Sequence, residues 1–121
     1  MLSLPANIRI FVCTQPTDMR KSFNGLSGIV THSLGGDPLS GHLFLFANKR
    51  RNLLKLLYWD SDGFAIWYKR LEIGTFSESV FKANTSGQVE LTRAQLAMLL
   101  GGIDLVATKK RKRFHLSQNN S

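Results

Sequence analysis

KLLYWDSDGFAIWYKRLEIGTF, residues 55–76, gathers six aromatic rings and the cations Lys55, Lys69 and Arg70 around a central Asp60-Ser61-Asp62-Gly63. Lys55 to Trp59 is an apolar and aromatic run of strand type. Asp, Ser and Gly are the residues that turn a chain, and the strand signal resumes at Phe64 and lasts to Arg70. The spacing predicts a β-hairpin. If Ser61 and Asp62 form a two-residue loop, Lys55, Leu57, Trp59, Phe64, Ile66, Tyr68 and Arg70 share one face, and Leu54, Leu56, Tyr58, Ala65, Trp67 and Lys69 the other. A bulge changes that partition, because side chains alternate along a strand. Both faces carry apolar bulk and a cation, so one is expected on the core and the other partly solvated. Flat rings beside fixed cations suit a stacked, anionic polymer. Aromatics that simply fill the core are the competing reading.

Outward from the hairpin, residues 42–47 and 53–59 read as two strands joined by a basic tip, Asn48-Lys49-Arg50-Arg51-Asn52. With 64–70 they form a meander whose short connections require antiparallel pairing. Residues 9–13 read as an opening strand. After Thr14-Gln15-Pro16-Thr17, a helix capped by Thr17 or Asp18 is expected, its inner stripe formed by Met19, Phe23, Leu26 and Val30. Gly25 and Gly28 lower its helix propensity, which implies close packing against the sheet there. Residues 76–83 read as an edge strand or a loop, 87–91 as a short strand, and Thr92 as the cap of a last helix with Leu96, Leu99 and Leu100 inside, ending near Gly101-Gly102. The fold class expected is α+β: a single domain with a mainly antiparallel sheet, one long helix after the first strand and a short C-terminal helix. The domain spans 1–106 and a flexible basic tail 107–121.

At 121 residues the chain is one domain's worth, long enough to bury roughly 65% of its unfolded surface. Sixteen Lys and Arg against eight Asp and Glu give a formal charge of +8, attractive to nucleic acid or an anionic membrane surface. Five of those cations, Lys109, Lys110, Arg111, Lys112 and Arg113, lie in the tail, and without them the charge falls to +3. A flexible basic arm binds nucleic acid by releasing condensed counterions, independently of sequence; the same run also serves as a solubilising terminus. Cys13 is the single cysteine, so no intramolecular disulfide forms. A buried structural thiol in a reducing cytoplasm is expected. No signal-peptide pattern is present in 1–10, and no segment has the apolar length to span a bilayer.

The strings CTQPTDMRKSFNGL (13–26), DPLSGHLFLFANKRR (37–51), the hairpin 55–76 and LTRAQLAMLLGGIDL (91–105) resemble, in order, the TnpB accessory proteins encoded by the second open reading frame of insertion sequence 66 elements. These are distinct from the RNA-guided nucleases that share the TnpB label. The resemblance implies a small bacterial protein encoded beside a larger transposase and needed for full transposition. Two places depart from the family pattern: the apolar Asn52-Leu53-Leu54 after the basic tip, and the tail from Thr108 onward.

The residues expected to contact DNA are Lys49, Arg50, Arg51, Lys55, Trp67, Lys69 and Arg70, with Arg20, Lys21 and the tail cations Lys109, Lys110, Arg111, Lys112 and Arg113 assisting. The cations would neutralise phosphates, and Trp67 would stack on or wedge against bases. Arg20 and Lys21 fall in the first turn of the expected helix, where the dipole disfavours cations and favours an anion. They therefore read either as a phosphate site or as solvated surface charges. Against enzymatic activity, the eight carboxylates suggest no converging metal-binding triad, Asp60 and Asp62 suit a turn better than a calcium loop, and the three histidines lack ligand spacing. The expectation is a non-catalytic accessory factor for DNA transposition, with no cofactor and no metal. Its partners would be DNA and the transposase of the same element, with no membrane. A protein adaptor that docks on the transposase with little DNA contact is the alternative.

Overall fold

The computed structural model describes residues 6–82 and 87–101. The basic run from Lys109 to Arg113 and the expected boundary at 106 lie outside them. The elements are β1 (Ile10–Cys13), α1 (Phe23–His32), β2 (Leu43–Ala47), β3 (Leu53–Trp59), β4 (Phe64–Arg70), a 3₁₀ turn at Glu78–Phe81, β5 (Gln88–Leu91) and α2 (Arg93–Gly101). The strands form one sheet of order β4-β3-β2-β1-β5. β2, β3 and β4 are an antiparallel meander, β1 runs parallel to β2 with α1 as the crossover, and β5 closes antiparallel on β1. The α+β expectation holds. The one parallel pair follows from chain length, since the crossover helix supplies the span that a parallel connection needs.

The hairpin takes the two-residue-loop register. Trp59 faces Phe64, Leu57 faces Ile66 and Lys55 faces Tyr68, and the Asp60 amide donates to the Gly63 carbonyl at 2.8 Å. Ser61 adopts φ 59° to close the loop, a left-handed conformation that few side chains other than Gly, Asn and Asp take readily. Across the mouth of the turn, Trp59 and Phe64 meet edge to face, with centroids 5.1 Å apart.

Both sheet faces are covered. On one, Ile10, Val12, Leu43, Leu45, Leu54 and Leu56 join Phe76, Val80 and the α2 residues Leu96, Leu99 and Leu100, with Trp67 and Tyr58 packed partly buried at the margin. On the other, Cys13, Phe44, Phe46 and Leu57 receive Leu26 and Val30 of α1, with Met19, Phe64 and Ile66 alongside. Cys13 is a buried free thiol. The strongly apolar strands β2 and β3 are central and buried on both faces, which is why they do not alternate. The expectation of one core face and one partly solvated face gives way to two cores. Only Tyr68, at 52% exposure, keeps a largely open ring on the hairpin.

Helix α1 begins later than its sequence suggests. Asp18 accepts the Arg20 amide at 2.9 Å, and its own carbonyl accepts the Lys21 amide. This Asx-type turn competes with helix in residues 18–21. Helical bonding starts only where the Leu26 amide reaches the Ser22 carbonyl. Met19 therefore packs on the core from a turn, and Phe23, expected inside, is 44% exposed. The two helix glycines do not mark close approach to the sheet. A Cβ at Gly25 would meet the Lys21 side chain at 3.0 Å, and one at Gly28 would meet nothing within 4 Å. Residues 78–81, within the stretch read as an edge strand or a loop, form the 3₁₀ turn. α2 starts with a capping box: the Gln95 amide donates to Thr92 Oγ1 (3.1 Å) and the Thr92 amide to Gln95 Oε1 (2.8 Å), so each group satisfies the other.

Candidate nucleic-acid interface

The sheet register gathers most of the expected cations at one end. Parallel pairing brings the end of β1 beside the end of β2, Ala47 faces Leu54, and Leu53 faces Arg70. The C-termini of β1, β2 and β4 and the N-termini of β3 and β5 therefore share an edge of the molecule. Lys49, Arg50 and Arg51 stand there on the β2–β3 tip, Arg70 ends β4, and the segment holding Arg20 and Lys21 is bonded to the same end. The Thr17 amide donates to the Ala47 carbonyl at 2.8 Å.

The tip is built by Asn48. Its Oδ1 accepts the amides of Asn52 (3.1 Å) and Leu53 (3.0 Å), and its Nδ2 donates to Asn52 Oδ1 at 2.7 Å. These bonds let Arg51 sit at φ 57°. The Arg51 amide donates back to the Asn48 carbonyl, and its carbonyl accepts the Phe76 amide at 2.7 Å. Lys49 and Arg50 are left exposed, while Arg51 is half-buried. In the sequence, Asn48 and Asn52 look like ordinary turn residues. Their part in orienting the three cations emerges only from the geometry.

Lys55 is the principal correction among the expected contacts. It is 8% exposed, and its Nζ donates to the carbonyls of Met19 (2.8 Å) and Lys21 (2.7 Å) while lying 4.8 Å from the centroid of the Tyr68 ring opposite it. Those acceptors hold the ammonium inside the fold, where it pins the segment before α1. Trp67 and Lys69 face the α2 side and Tyr68 and Arg70 the other, so the hairpin does not present one aromatic and basic surface. Trp67 packs against the α2 core. Lys69 donates to the Leu100 carbonyl at 3.0 Å, a cation at the C-terminal end of a helix, where the dipole favours it. α2 thus ends beside the basic end of the sheet, and the described chain leaves from there at Gly101.

Arg20 and Lys21 are not in a helical first turn, and their backbone amides are already engaged by Asp18. Arg20 is also paired through its guanidinium with Asp18 at 2.7 Å, and this bond holds the Asp18 carboxyl down at about 2. Arg70 pairs with Glu72 at 2.9 Å. Lys21, Lys49 and Arg50 are exposed cations of this end for which no ion pair is seen among the described residues. Elsewhere, Arg9 pairs with Glu90 at 2.7 Å across β1 and β5. Among the described residues no three His, Cys, Asp or Glu side chains are grouped so as to hold a metal ion, and no helix is long and apolar enough to cross a membrane.

A small α+β domain with two-faced packing and cations collected at one sheet end defines the class. The family model described as IS66 Orf2 like protein matches residues 8–110, and the chain belongs to that family. It is 33% identical over 111 residues to the protein y4jC of Sinorhizobium fredii (strain NBRC 101917 / NGR234), covering 92% of each chain. It is 38% identical over 104 residues to y4hO of the same organism, covering 86% of this chain and 88% of the relative. No solved structure matches. Membership associates the chain with the transposition of insertion sequences as an accessory protein.

Proposed function

We propose that this protein is a non-catalytic accessory factor of transposition that binds the DNA backbone with the basic end of its sheet. The observation that supports the reading is the convergence of Lys49, Arg50 and Arg51 with Lys21 and Arg70 through strand register, on elements held by backbone bonds. Lys21, Lys49 and Arg50 neutralise phosphates, Arg20 and Arg70 contribute after exchanging their carboxylate partners, and the cations at 109–113 add a second, sequence-independent grip. Contacts of this kind go to the phosphate backbone, which positions a protein on DNA and carries no sequence information directly.

Fluorescence anisotropy with a labelled duplex over a salt series tests this. Each phosphate contact adds about 0.9 to the slope of log K against log salt, so replacing Lys21, Lys49 and Arg50 by Gln is expected to flatten that slope by about 2 to 3. An unaltered slope in the folded triple variant counts against the reading. A protein adaptor for the element's transposase is the second reading. It is favoured by β4, a sheet edge with one side unpaired among the described strands, on which Tyr68 is half exposed. Edge strands recruit partner strands readily. Duplex binding that is absent even in dilute salt selects it.

A further inference from the structure

A cleft of about 190 Å³ opens between the β1–α1 connection, the β2–β3 tip and the 3₁₀ turn, lined among others by Thr14, Asn48, Lys49, Arg51 and Phe81. Two of the residues that line it carry buried polar atoms with no hydrogen-bond partner among the described residues, Thr14 Oγ1 and Arg51 Nε. Thr14 is 8% exposed. Buried hydroxyls and guanidinium nitrogens are normally satisfied, and an orphan of either kind calls for an explanation. Two such orphans on residues lining one cleft, one of them cationic, with the exposed Lys49 in the same lining, match the needs of one ligand class. We infer that this cleft is a phosphate-binding subsite: Arg51 and the Thr14 hydroxyl donate to phosphate oxygens, and Lys49 adds charge at the rim.

The geometry also supplies a competitor. Arg51 Nη2 lies 3.8 Å from Glu78 Oε1, a loose pair whose carboxylate side chain is 72% exposed. A phosphate, offering planar bidentate acceptance to the guanidinium, displaces so distant a partner. With Glu78 displaced, the guanidinium is free to reorient toward a ligand in the cleft. The φ 57° of Arg51 is fixed by the Asn48 bonds whether or not the cleft is filled, so the backbone that carries Arg51 is set in advance of a ligand. The inference deepens the DNA-binding reading and rests on it for the source of the phosphate, which is either a DNA backbone or a free phosphate.

The experiment uses the full chain, with inorganic phosphate and a short duplex as separate probes followed by ¹H–¹⁵N NMR. Phosphate is expected to shift the amides around Thr14 and residues 48–51 and to leave those of the opposite sheet end in place. Arg51→Gln and Thr14→Val should each weaken that response at least tenfold, and Glu78→Gln should tighten it. Thr14→Val removes an unsatisfied hydroxyl without changing shape, so it keeps a melting temperature at or above that of the parent and loss of binding cannot be ascribed to unfolding. A phosphate response equal in all four proteins, or spread over the whole surface, overturns the inference. Duplex binding that survives unchanged in the folded Arg51→Gln and Thr14→Val variants overturns the backbone as source and leaves the proposed function standing. A cleft that takes free phosphate while the parent binds no duplex sustains the subsite and removes the DNA reading.

Discussion

Replacing Lys55 by Met separates a structural lysine from a DNA-contacting one. Met retains most of the aliphatic stem in its buried slot but deletes the ammonium that bonds the Met19 and Lys21 carbonyls and faces the Tyr68 ring. A hydrogen bond to a charged group contributes about 1.5–3 kcal/mol, and the cation over the ring about 0.5–1 kcal/mol. Part of this returns, because the charge no longer has to be desolvated at 8% exposure. The net loss worked from these terms is about 2–3 kcal/mol, against about 0.5 kcal/mol or less for a surface Lys away from such features. Urea denaturation at constant m-value measures it. NMR shift changes concentrated in residues 17–22 would locate the loss in the segment that Lys55 pins. Duplex affinity of the folded variant is expected to match that of the parent. A loss below about 0.5 kcal/mol with weakened duplex binding would refute the reasoning and return Lys55 to the DNA surface.

Three further outcomes are expected. Gly28→Ala places a methyl group where nothing lies within 4 Å, in a helix interior, and should stabilise the protein by about 0.5–1 kcal/mol; calorimetry showing destabilisation would mean that α1 packs differently. Thr92→Ala removes one arm of the capping box with Gln95 and should cost about 1 kcal/mol, read as a lower midpoint in urea. In acid, Asp18 is lowered to about 2 chiefly by its Arg20 bond and Glu90 is lowered chiefly by Arg9. Their contribution to stability is present above the ordinary carboxylate range and is lost as pH falls through the depressed values. Carboxyl NMR titration should place the Asp18 midpoint near 2, and Arg20→Ala should raise it toward the usual range.

Much of the fold was legible because its signals are local. The Asp-Ser-Asp-Gly turn marked the hairpin, and of the registers left open the two-residue-loop alternative is the one the strands adopt. The meander, the strand before the first helix and the Thr92 cap followed from turn and cap chemistry of the same short range. The start of α1 was misread because two local preferences compete there. Thr17 and Asp18 are good caps, but Asp18 accepts the Arg20 and Lys21 amides in a tight turn and Thr17 is drawn to Ala47, a residue distant in sequence. The packing inferred from Gly25 and Gly28 failed for a related reason: low helix propensity says that a helix is weakened, not what stands next to it.

The candidate site divides along the same line. Lys49 and Arg50 could be picked out because a turn between two buried strands must expose its long polar side chains. Lys55 could not be told from them by composition. It stands in the run Leu53-Leu54-Lys55-Leu56-Leu57, where strand alternation sets Lys55 on the same face as Leu57, and Leu57 is wholly buried. A cation at such a position has to be matched by acceptors, and the only question is which. Here they are backbone carbonyls left over by the delayed start of α1, so the misread helix and the misread lysine are one error. Had the helix begun at Asp18, the Met19 and Lys21 carbonyls would have accepted from the amides four residues on, and Lys55 would have lacked partners. Lys55→Met combined with Asp18→Ala therefore makes a coupled pair. Freed from its Asx turn and its lysine anchor, the segment 18–22 can extend α1 toward its N-terminus. The double variant is expected to lose less stability than the sum of the singles, by about 0.5 kcal/mol or more. Additive losses would mean that Lys55 and the Asp18 turn act independently, contrary to this account of where α1 begins.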